Sequence, residues 1–102
     1  MDEQETVAAF VEAHDIDSDP EYWILDLVAE VGEVASDATR STRWGEDPDA
    51  IEVKPDEIGD AYFSLLATAE SLGIDASEAL AESLAKYESR VEETGNASSG
   101  ER

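Results

Sequence analysis

Between Tyr22 and Arg40 apolar residues recur at intervals of three and four: Ile24, Leu27, Val28, Val31, Ala35 and Ala38. That period puts them on one stripe of a helix, and the spacing predicts an amphipathic helix over 21–40. An acidic stripe lies beside it, Asp26, Glu30, Glu33 and Asp37. Glu30 and Glu33 sit about one turn apart, so both carboxylates project from one side, within reach of a single ion.

The same reading organises the rest of the chain. Val7, Phe10 and Val11 form an i, i+3, i+4 patch and predict a first helix over 3–13. His14 follows without a second His or a Cys to share a metal, and reads as an ordinary surface or helix-end residue. The run from Asp15 to Pro20 is turn chemistry. Its alternating aspartates lack the glycine and distal glutamate of a calcium loop. Ile58, Ala61, Tyr62, Leu65, Leu66, Ala69 and Leu72 predict a third helix over 56–72, started near Pro55 and ended by Gly73. Leu80, Leu84, Tyr87 and Val91 predict a fourth over 76–92, with Asp75 and Glu78 placed as a capping box. The Gly/Ser-rich residues 94–102 are expected to be disordered.

The expected architecture is therefore all-α, a four-helix bundle-like domain over residues 1–93. Four short helices bury little by themselves, so the bundle is expected to be completed by oligomerisation, as a homodimer or homotetramer. Ser41–Lys54 is longer than the usual helix–helix link and is broken by Gly45 and Pro48. Long loops in compact domains are often functional. This one carries Arg43 and Trp44. Trp44 is the better candidate for stacking on a base, while Trp23, inside a helix, suits the core or a subunit interface.

Charge narrows the function. The 102 residues hold 27 acids against 6 Lys+Arg, a formal charge of −21, and the acids are spread along the chain. Such an excess repels itself, and at about 1 M salt, where the Debye length is roughly 3 Å, most of that repulsion is screened. The composition points to a halophilic, salt-rich cytoplasm. It argues against nucleic-acid binding, since nothing concentrates cations for phosphate. Cysteine is absent, which excludes thiol chemistry. No apolar run approaches the roughly 20 residues of a membrane span, and the acidic start does not resemble a signal peptide. A soluble, cytoplasmic protein is expected.

Glu57 and Asp60 flank the third apolar stripe as Glu30 and Glu33 flank the second. At about 100° per residue both pairs fall on the same side of their stripes, and one antiparallel packing of the helices brings all four carboxylates together. Spacing alone does not establish this. Acids recur at i, i+3 seven times in the chain, as expected also of a solvated, salt-adapted face. Pairs 30/33 and 57/60 differ in lying within apolar helices, each around a glycine. Gly32 and Gly59 suggest close helix approach. Mg²⁺, or Mn²⁺ in its place, prefers such carboxylate oxygens and bridges them to substrate phosphates.

Ala29-Glu30-Val31-Gly32-Glu33-Val34 followed by Asp56-Glu57-Ile58-Gly59-Asp60-Ala61-Tyr62-Phe63 resembles the paired Glu-x-x-Glu and Glu-x-x-Asp signature of MazG-like nucleotide pyrophosphohydrolases, in the all-α NTP pyrophosphatase superfamily. Leu72-Gly73-Ile74-Asp75, Ala79-Leu80 and Lys86-Tyr87-Glu88-Ser89-Arg90 are similar to the later family pattern, so the resemblance covers roughly residues 20–91. It implies a Mg²⁺-dependent hydrolysis of a nucleoside triphosphate to monophosphate and pyrophosphate. It also implies Glu30, Glu33, Glu57 and Asp60 as the catalytic metal ligands, and Lys86 and Arg90 as phosphate contacts. Ala29 replaces the first acid of the common Glu-Glu-x-x-Glu form, and Leu84 stands where many members have Asn. Glu82, Lys86 and Arg90 also follow one another at intervals of four on one helix face, the spacing of ordinary helix ion pairs. Asp37 is expected to be a solvated extension of the acidic stripe. The rival readings are a phosphoribosyl-ATP pyrophosphohydrolase, a non-catalytic acidic helical interaction module, and an acidic nucleic-acid mimic.

Overall fold

The computed structural model describes residues 1–95, and these are all-α. Helix α1 spans Glu3–Ala13, α2 Pro20–Ser41, α3 Pro55–Ser71 and α4 Ala76–Thr94, with a 3-10 turn at Pro48–Ala50. The expected bounds hold to within two residues, because the start and stop signals are local. Pro20 and Pro55 take first-turn positions, where a missing N–H is no loss. Gly73 and Gly95 turn the chain with φ of +69° and +84° just past α3 and α4. Asp75 accepts a hydrogen bond from the Glu78 N–H at 3.1 Å, one half of the expected box. The full reciprocal box lies at α1, between Asp2 and Glu5. Of the expected disordered tail, Thr94 closes α4 and Gly95 caps it; residues 96–102 lie outside the described residues.

Helices α2 and α3 make the most extensive contact, α1 crosses α3, and α4 touches α3 sparsely. The first pair is antiparallel: Asp26 meets Ser64 near one end and Asp37 meets Lys54 at the other. The core is small. Trp23, Leu66, Ala67 and Ala69 are buried, and Phe63 takes Trp23 and Phe10 edge-on at 6.1 and 5.9 Å between ring centres. Trp23 is thus a core residue. Gln4 pins α1 to the start of α4, donating to the Ile74 carbonyl at 2.8 Å and accepting from the Ala76 N–H at 2.7 Å. His14 is the exposed cap of α1, as expected.

The apolar stripes are only partly covered, and one expectation, that of the glycines, needs correction. The apolar stripe of α2 does not face the core as a unit. Trp23 turns inward, with Leu27, Val34 and Ala38 half-buried, while Ile24, Val28 and Val31 stay exposed. On α3 the exposed set is Ile58, Tyr62, Leu65 and Leu72, and the whole apolar line of α4 is exposed. The reason is supply: one chain lacks the helices to cover both faces of α2 and α3. The Cα radius of gyration, 16.7 Å, accordingly exceeds the roughly 13 Å of a compact domain this long. Finally, Gly32 and Gly59 do not mark close helix approach within the chain, since a Cβ built at either meets nothing within 4 Å.

Candidate functional site

Rotating the α2 apolar stripe partly outward turns the neighbouring acidic stripe toward α3. Asp26, Glu30 and Asp37 are half-buried there, and Glu33 stays exposed. From α3 come Glu57, half-buried, and Asp56 and Asp60, exposed. Carboxylate oxygens of Asp56, Glu57 and Asp60 lie within 4.8 Å of one another. Glu30 and Glu33 stand outside that tight trio, on the facing helix.

Electrostatics tie the two helices together. Partial burial pushes the Glu30 carboxyl above the usual range, and the charges of Asp60, Asp26 and Glu33 push it further. Glu57 is raised likewise, first by burial, then by Asp37, Glu33, Asp56 and Asp60. Glu30 therefore feels α3, and Glu57 feels α2. No basic side chain relieves them: among the described residues the ion pair is Arg43–Glu46, 4.0 Å apart and exposed. Facing carboxylates with no internal counter-charge suit a hard divalent cation, which takes carboxylate oxygens and offsets their repulsion.

Two acids of this surface differ from or add to the sequence reading. Asp37 is not a solvated extension: it is half-buried and accepts from the Lys54 N–H at 3.1 Å. Asp56, which stands in the motif but was not among the expected ligands, belongs to the tight trio. Its sequence signal was an i, i+4 pairing with Asp60, which a search at i, i+3 passes over. Asp26 accepts from the Ser64 hydroxyl at 2.6 Å, and Ser64 is 1% exposed.

The other candidates lie on different elements. Lys86 and Arg90 are on α4, flanking the Tyr87 ring at 5.2 and 5.8 Å from its centre. Among the described residues Lys86 does not form the ion pair with Glu82 that its spacing allows. Trp44 is 80% exposed, on a turn held in an unusual backbone conformation. Arg43, Trp44 and Gly45 have φ of +53°, +58° and +88°, a left-handed run that costs about 1–2 kcal/mol per non-glycine residue. Buried Thr42 organises it. Its hydroxyl donates to the Ala38 carbonyl at 2.8 Å and accepts from the Gly45 N–H at 3.2 Å, while the Trp44 N–H reaches the Thr39 carbonyl at 2.8 Å.

Residues 18–94 match the MazG nucleotide pyrophosphohydrolase domain. The chain belongs to this family. The matched span runs from just before α2 to the last residue of α4 and leaves α1 outside. Comparison with curated proteins and with solved structures gives no match. In this MazG domain α2 and α3 carry the acidic pairs and α4 the basic one. No described helix is long and apolar enough to cross a membrane.

Proposed function

We propose that this MazG domain is a Mg²⁺-dependent nucleotide pyrophosphohydrolase that converts a nucleoside triphosphate to monophosphate and pyrophosphate. The observation that carries the reading is the facing of α2 and α3 carboxylates, Glu30 and Glu57 half-buried among them, with no basic partner among the described residues. Acids adapted only to salt gain nothing from such a position, because burial and mutual repulsion both oppose their charge. Glu30, Glu33, Glu57 and Asp60 are the proposed ligands, with Asp56 beside the α3 pair Glu57 and Asp60. Mg²⁺ or Mn²⁺ there would neutralise polyphosphate charge and lower the pKa of a bound water. In the reaction, water adds to phosphorus, a phosphoanhydride bond breaks and pyrophosphate leaves. A carboxylate of this set orients the water and takes its proton.

Lys86 and Arg90 are the proposed phosphate contacts, and Trp44, presented outward by its braced turn, the proposed stacking surface for the base. The working form is a homodimer or homotetramer. Support comes from the unpartnered apolar rows of α2, α3 and α4, including Leu25 and Val28 at 69% and 64% exposure. The setting is a salt-rich cytoplasm, where the charge of −21 is screened.

The test is pyrophosphate release over a panel of normal and modified triphosphates and phosphoribosyl-ATP, with Mg²⁺ in molar KCl. Turnover of a triphosphate that E57Q abolishes is expected. Preference for phosphoribosyl-ATP would move the reaction to the rival enzyme class. No turnover anywhere, together with Mn²⁺ binding that E57Q leaves unchanged, would leave a non-catalytic module.

A further inference from the structure

Helix α3 begins without a cap of its own. Lys54 occupies the cap position but makes no side-chain cap bond, and Pro55 behind it has no N–H. What holds the start of α3 comes instead from α2. The Asp37 carboxylate accepts from the Lys54 N–H at 3.1 Å, and the Ser41 hydroxyl accepts from the Glu52 N–H at 2.9 Å. The two acceptors are four residues apart on a helix and the two donors two residues apart on a chain that is extended at Ile51 and Lys54 (ψ 133° and 135°). The repeats match: four helical residues rise about 6.0 Å and two extended residues about 6.6 Å. The segment before α3 is laid along the last turns of α2 as a two-rung ladder.

The ladder ends at the proposed metal site. The Lys54 carbonyl accepts from the Glu57 N–H at 3.0 Å, the first bond of α3. Glu57 in turn feels the charge of Glu33, which lies one turn before Asp37 on α2. The circuit Asp37, Lys54, Glu57, Glu33 closes on itself. A slip of α3 by one residue rotates its side chains by about 100° and carries Glu57 and Asp60 away from the α2 acids.

We propose that Asp37 and Ser41 are positioning residues that fix the register of α3 on α2, and so set where Glu57 and Asp60 meet Glu30 and Glu33. The inference rests on the reading that these four acids hold a divalent cation. For this positioning role Asp37 needs its acceptor oxygen and not its charge, although that charge also acts on Glu57.

The test compares D37A, D37N and S41A with the wild type and E57Q in molar KCl, by Mn²⁺ titration calorimetry and by hydrogen exchange at the Glu52, Lys54 and Glu57 amides. Loss of a residue that orients a ligand from behind typically weakens metal affinity by about 10–100-fold. D37A is expected in that range, S41A weakened in the same direction, and D37N weakened less than D37A, because asparagine keeps the acceptor and loses only the charge that Glu57 feels. Amide protection at Lys54 and Glu57 should fall in D37A and persist in D37N. If D37N loses as much affinity as D37A while Lys54 stays protected, Asp37 works through its charge and the proposal is overturned. It is equally overturned if D37A changes neither affinity nor protection. E57Q separates the two levels: Mn²⁺ binding that ignores E57Q removes the metal reading, while the Lys54 amide still reports whether the ladder holds α3.

Discussion

The glycines between the acid pairs offer the clearest quantitative test of the packing. Gly32 and Gly59 sit in the interiors of α2 and α3, where glycine is less favourable than alanine by about 1 kcal/mol. Within the chain a Cβ at either position meets nothing within 4 Å, and neither residue has a positive φ. Alanine should therefore recover the helical deficit with no steric loss. For a domain of this size about 1 kcal/mol moves Tm by roughly 4–8 °C. G32A and G59A are each expected to gain that much, measured by circular dichroism in molar KCl with mass monitored by light scattering. A loss of stability in either variant, at unchanged mass, would refute the open space drawn here. A loss that comes with a fall in mass would place the missing contact on a second copy of the chain. A gain in stability with a collapse of pyrophosphate release would locate the need for glycine at the bound nucleotide.

Three further outcomes follow from the site. Removing one of the crowded charges in E57Q should raise the stability of the metal-free protein while ending catalysis, read by denaturant unfolding beside the activity assay; destabilisation would mean the carboxylate makes a favourable contact in the chain. The raised carboxyls of Glu30 and Glu57 fix the sign of a pH effect. The folded state binds more protons than the unfolded one from the ordinary glutamate pKa up through the raised values, so these groups stabilise at low pH and that stabilisation is lost as pH rises through the window. Cations compete with those protons, so the rise in Tm on adding Mn²⁺ should be larger at about pH 8 than at about pH 5; an equal rise at both would contradict proton–cation competition at these acids. V28E places a charge in the exposed apolar row of α2 and should lower the assembly mass seen by light scattering at unchanged helicity; an unaltered mass would take that row out of the interface.

The helices were readable because their signals are local: Pro20, Pro55, Gly73 and Asp75 act within a turn of themselves. Which face of α2 turns inward was not. Periodicity ranked Val28 and Val31 with Leu27, yet the large Trp23 side chain, meeting Phe63, sets the rotation and leaves Val28 and Val31 outside. That choice depends on a residue forty positions away in the chain. The same rotation brings Asp37 under Lys54, a backbone partner that side-chain patterning has no means of announcing. The misreading of the glycines has a related origin. Their cost in a helix is visible from sequence, but what occupies the space beside them is not.

The rotation also bears on why site and assembly would share two helices. Turning the acids of α2 toward α3 leaves its best apolar row without a partner inside the chain, and Ile58, Tyr62 and Leu65 are left in the same way on α3. A sequence folding only as a monomer would do better with those rows inside and the acids out, since apolar burial is worth roughly 25 cal/mol per Å² and half-buried carboxylates repel. The arrangement becomes favourable only when two things arrive from outside: apolar surface for the exposed rows and positive charge for the acids. The proposed second copy of the chain and divalent cation would meet those needs separately. Metal binding and assembly should therefore be separable, with V28E weakening the second and E57Q the first. Two variants that each lost both properties in full would show instead that the carboxylates and the apolar rows form one cooperative unit.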